Sequence, residues 1–87
     1  MSVINFVYIR SGLYRVTFDG ESVGTIVRLL REWTFAPGSS SLVVDYLVAN
    51  MATTFSTLTE AKHIIRIWLY RYQQLKESNS ENDKLPS

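Results

Sequence analysis

The residues able to do chemistry are few and scattered. His63 is the only histidine and cysteine is absent, so neither a thiolate nucleophile nor a thiolate metal site can form. Ser39, Ser40 and Ser41 carry hydroxyls, but a nucleophilic serine needs an adjacent base. As a polar break before an apolar stretch they serve better as turn and cap residues. Asp19 and Glu21 flank a Gly, where an aspartate shapes a turn rather than shuttling protons. The glycines at 12, 20, 24 and 38 make no phosphate-cradling loop. His63 itself falls on the solvent side of a helix. The expectation is a protein with no enzymatic activity, no metal, no cofactor and no small-molecule substrate.

Two other sets of residues point to binding. The first is basic: Arg15 and Arg28 on one face of a small sheet, with Arg10 and Arg31 at strand ends and Thr17 nearby. Strands bearing such side chains can enter a DNA groove. A one-sided sheet also shows water its polar face for no further reason. The second set is helical. Leu58, Ala61, Ile65, Trp68, Tyr72 and Leu75 recur at steps of three and four and form one stripe. Lys62, Arg66 and Gln73 flank it on one side, Ile64 and Arg71 on the other. Ile67, Tyr70 and His63 lie opposite the stripe. A helix that is apolar on both sides has its own core and a second surface to cover. Tyr and Arg are enriched where protein partners bind tightly. His63, Arg66, Ile67, Tyr70 and Arg71 are therefore the expected partner surface, for another protein or for a second copy in a homodimer.

These residues need elements to position them. Val3 to Arg10 is rich in β-branched and aromatic residues and reads as a strand with Ile4, Phe6 and Tyr8 on one face. Ser11-Gly12 makes a turn. From Leu13 to Phe18 the alternation puts Tyr14, Val16 and Phe18 on one side and Leu13, Arg15 and Thr17 on the other. Asp19-Gly20 is a hairpin signal. A third strand follows over Ser22 to Leu30, with Val23, Thr25, Val27 and Leu29 on the inner face and Phe18 opposite Val23. Glu32 to Ala36 adds Trp33 and Phe35 before Pro37-Gly38 ends the run. The segment Leu42 to Met51 fits a short helix, with Asp45 in its first turn, although Val43, Val44 and Val48 also suit a strand. The helix is preferred. Ala52 to Ser56 reads as a connector. Thr57 with Glu60 forms a capping box at the start of the long helix, Leu58 to about Glu77.

The fold expected is α+β: a three- or four-stranded antiparallel meander packed against one long C-terminal helix, with a short helix between. Residues 1–77 make one domain, and the Ser-, Asn- and acid-rich stretch 78–87 reads as a disordered polar tail.

Three segments carry a resemblance. Leu13-Tyr-Arg-Val-Thr-Phe-Asp-Gly-Glu-Ser-Val-Gly24, Trp33-Thr-Phe35 and Phe55-Ser-Thr-Leu-Thr-Glu-Ala61 resemble small phage- and prophage-type sheet-plus-helix proteins. The layout is also similar to the N-terminal arm-binding domains of phage integrases, which share their shape with the AP2 type. In those domains a three-stranded sheet reads DNA and a helix opening Phe-x-Thr-x-x-x-Ala packs behind it. Phe55, Thr57 and Ala61 stand at that spacing, and Gly20 sits in the strand turn. The likeness covers about half the chain. The stretch between Phe35 and Phe55 is longer than the pattern needs, and no catalytic integrase domain is present. The resemblance implies the architecture, and with it a small accessory or inhibitor protein acting through protein–protein contacts; a sheet-type DNA binder is the alternative.

Charge bears on that choice. Nine Lys and Arg against eight Asp and Glu leave a net charge of +1. Proteins that live on nucleic acid show a clear basic excess, because neutralising phosphates supplies much of their affinity. No apolar run approaches the ~20 residues of a membrane span. The expectation is a cytoplasmic protein with no membrane partner.

Overall fold

Backbone geometry at Asp19-Gly20 sets the sheet. Both residues have positive φ, 53° and 84°, as a two-residue turn matching the strand twist requires. Aspartate tolerates that conformation, and its side chain has a second task. Asp19 Oδ1 accepts the Val3 N–H at 2.7 Å, while the Asp19 N–H donates to the Val3 carbonyl at 2.8 Å. The hairpin tip thereby ties down the start of the chain.

The computed structural model describes the backbone of residues 3–84 and the side chains of residues 3–77. Strands β1 (Ile4–Arg10), β2 (Leu13–Phe18), β3 (Glu21–Leu29) and β4 (Glu32–Pro37) precede helix α1 (Leu42–Asn50). A short β5 (Thr54–Phe55) and helix α2 (Leu58–Lys84) follow. The strands form one antiparallel sheet in the order β1-β2-β3-β4-β5. The fold is α+β with five strands. The fifth lies in the stretch expected as a connector, and the Phe35 N–H donates to the Thr53 carbonyl at 2.7 Å beside it.

Both helices pack on one face. Val43, Val44 and Leu47 of α1 and Ala61, Ile65 and Leu69 of α2 share a core with Val16, Phe18, Val23, Ile26, Phe35 and Phe55. Segment Leu42–Asn50 is the preferred helix, not a strand. The Ser41 hydroxyl accepts the Val44 N–H at 3.3 Å and caps it. Thr57 Oγ1 accepts the Glu60 N–H at 3.0 Å at the start of α2.

Register corrects the expected faces of β3. Phe18 pairs with Glu21, not Val23, and the register slips between Val16 and Thr17. Val16 faces Gly24 and Thr17 faces Ser22, so Val23 is the extra residue of a bulge. Val23 and Gly24 are both buried in consequence, and parity inverts beyond them. Ile26 is then fully buried, while Thr25 and Val27, expected inside, join the open face. Gly24 is needed there: a Cβ would stand 2.5 Å from the Ala36 carbonyl oxygen and 2.7 Å from the Phe35 ring.

The α2 stripe is also rotated. Ala61, Ile65 and Leu69 are its fully buried members, whereas Leu58, Trp68 and Tyr72 are half-buried and Leu75 is 49 % exposed. Leu75 lies past the end of the sheet contact, so its apolar character finds no core. Trp68 and Tyr72 instead pack on Tyr46 of α1, with ring centroids 6.0 and 5.4 Å away. The backbone of α2 runs through Lys84, since nothing between Glu77 and Pro86 breaks a helix. Residues 85–87, the end of the expected tail, lie outside the described residues.

Candidate interaction surface

On the side of α2 away from the core, helical spacing gathers residues 63, 66, 67, 70, 71 and 74. His63, Arg66, Ile67, Tyr70, Arg71 and Gln74 line an open groove of about 600 Å3, joined by Ile4 from β1. All five residues expected to face a partner are brought together here. Ile67 is half-buried and Tyr70 is 62 % exposed, so neither is sealed inside the fold. Ile4 and Gln74 were not anticipated. Gln74 falls four residues after Tyr70 and seven after Ile67, a spacing that could have found it. Ile4 could not be found that way, because its place depends on how the sheet docks under the helix.

Two arginines of the groove are held by aromatic rings. The Arg66 guanidinium stands 4.9 Å from the centre of the Phe6 ring on β1, and the Arg71 guanidinium 4.9 Å from the Trp68 ring. Such contacts restrict a long side chain that would otherwise sample many rotamers. Lys62 adds a third cation on the β1 side, 4.9 Å from the Tyr14 ring and 5.9 Å from Phe6. The groove thus offers an apolar floor from Ile4, Ile67 and Tyr70, and arginine forks suited to carboxylates. Among the described residues, no acidic side chain lines it.

The basic set behaves differently. Arg15 pairs with Val7 and Thr25, on the face the helices leave bare, and Thr17 lies on that face too. Arg28 pairs with Trp33, whose own partner is the buried Phe55, which places it on the helix-facing side. Arg15 and Arg28 therefore do not share a face, contrary to the alternation read from the sequence. The bulge at Val23 is the cause. Arg10 closes β1 opposite Leu13. Arg31 sits at the β3–β4 hairpin tip, where Leu29, Leu30, Arg31 and Glu32 border a separate hollow. Leu30 is 96 % exposed there with φ 58°.

Among the described residues no helix is long and apolar enough to cross a membrane, and no three His, Cys, Asp or Glu side chains cluster as a metal site would need. Neither a protein-family model, nor a curated protein, nor a solved structure matches the chain.

Proposed function

We propose that this chain is a non-catalytic protein-binding module that docks a partner protein on the α2 groove, in the manner of a small accessory or inhibitor protein. One observation carries the reading: His63, Ile67 and Tyr70, opposite the core stripe, and Arg66 and Arg71, which flank it, line a single apolar and basic groove. Such a surface has the composition of a binding hot spot, with an aromatic and arginines around a partly buried aliphatic. Ile67 supplies the apolar centre, Tyr70 the contact area, and Arg66 and Arg71 the specificity for acidic groups. His63 borders the same floor.

Capture from a lysate of the source cells tests the surface when variants are compared. Ile67→Asp and Tyr70→Ala are expected to lose the captured protein while Arg15→Ala keeps it. Equal capture by all forms, or capture abolished by nuclease, overturns the reading. Light scattering of the purified protein adds the self-association arm: a dimer that dissociates in Ile67→Asp identifies the partner as a second copy.

A further inference from the structure

We propose that β1 receives an extended, acidic segment of a partner protein as a sixth strand, with its carboxylates set against Arg66. This rests on the protein-binding reading above and adds the class of partner.

The two edges of the sheet differ. On one side β5 is only two residues long. On the other, β1 ends the sheet with seven residues, Ile-Asn-Phe-Val-Tyr-Ile-Arg. Edge strands are commonly blunted by proline, charge or a bulge. Here the bulge and the strand's one charge come at the far end, between Tyr8 and Arg10, and leave Ile4 to Tyr8 in unbroken register. The bond from Asp19 N–H to the Val3 carbonyl fixes which backbone groups remain. Bonded and non-bonded pairs alternate along an antiparallel ladder, so Asn5 and Val7 turn their amides to β2. Ile4, Phe6 and Tyr8 turn theirs outward. Among the described residues, three N–H and three C=O groups in a row have no strand partner.

The same three residues decide what that strand must carry. Ile4 lines the groove and the Phe6 ring supports Arg66. A strand added ~4.8 Å further out places every second side chain on this face, next to Arg66, whose guanidinium stands over the Phe6 ring. With no acidic side chain lining the groove among the described residues, carboxylates complement its charge. The same charges argue against a second copy. Pairing two β1 strands about a two-fold axis puts both grooves on one face of the joined sheet, with arginine set toward arginine.

The experiment uses the full chain labelled with ¹⁵N and two capped heptapeptides, one alternating Val and Glu, the other Val and Lys. Titration with the Glu peptide is expected to shift the Ile4, Phe6 and Tyr8 amides and slow their hydrogen exchange, with Asn5 and Val7 changing least. The Lys peptide is expected to bind at least about tenfold more weakly. Arg66→Glu, at an exposed position, should abolish that preference while keeping the native spectrum. Unmoved β1 amides, or an equal response to both peptides, overturns the proposal. So does a dimer whose Ile4, Phe6 and Tyr8 amides are already protected. If β1 stays silent while Ile67→Asp still loses the captured protein, strand addition falls and the binding module stands.

Discussion

Single residues decide this sheet more than their neighbours do, and Gly24 is the clearest case. It follows the bulged Val23, its φ is 159°, and the Phe35 ring lies across the space a Cβ would take. The nearest obstacle is the Ala36 carbonyl, which belongs to the backbone of β4 and cannot swing aside. Gly24→Ala therefore has to separate β3 from β4 or displace Phe35, which is 1 % exposed in the centre of the core. Overpacking of this kind costs roughly 1–3 kcal/mol. The expected outcome is a urea midpoint lowered by a corresponding amount with an unchanged slope, since the same surface is exposed on unfolding. An Ala variant as stable as the parent refutes the account. Leu30 shows the opposite situation at the β3–β4 tip. A left-handed leucine, 96 % exposed, gains nothing from the core and bears a steric penalty.

At the scale of elements, the caps explain where the helices begin and the sheet explains how far they are useful. Thr57 Oγ1 satisfies the Glu60 N–H at the start of a 27-residue helix, and Ala61 N–H bonds the Thr57 carbonyl. Thr57→Ala is expected to cost about 1 kcal/mol and to lower Tm by roughly 4–8 °C for a domain of this size. Thr57→Ser should retain most of it, because the serine hydroxyl accepts the same bond. A calorimetric scan showing Ala and Ser alike contradicts the capping role. These elements were largely legible in the sequence. Asp19-Gly20, Ser41 and Thr57 are local signals, and local signals survive without knowledge of the tertiary fold. The faces of β1 and β2 followed from simple alternation, and Ile4–Phe18, Phe6–Val16 and Tyr8–Tyr14 do pair. What alternation could not see was the bulge. One extra residue at Val23 reverses every later position on β3, which moved Thr25 and Val27 outward and parted Arg28 from Arg15. Leu69 was missed for a related reason. Trp68 and Tyr72 drew the stripe toward the aromatic side, where α1 rather than the sheet covers them. The groove residues were found because they needed only the helical repeat.

At the scale of the molecule, the distribution of charge matters more than its sum. Of the residues considered for nucleic-acid contact, Arg10, Arg15 and Thr17 belong to the bare sheet face, Arg28 to the helix-facing side and Arg31 to a hairpin tip. Lys62, Arg66 and Arg71 stand on α2, two of them beside β1 and one over Trp68. A rigid duplex laid on any one face meets only part of this set. With about three phosphates neutralised, the dependence of log affinity on log salt is no steeper than about −3. Phosphate neutralisation on any one face then supplies only a small share of affinity. Light scattering with a random duplex at about 150 mM salt is expected to give the masses of the separate components. Arg15→Ala with Arg28→Ala should change nothing in that experiment. A complex at that salt, with a slope well beyond −3 that the double variant flattens, requires both arginines on one DNA surface. That outcome contradicts the strand register and removes the basis for placing the partner on α2.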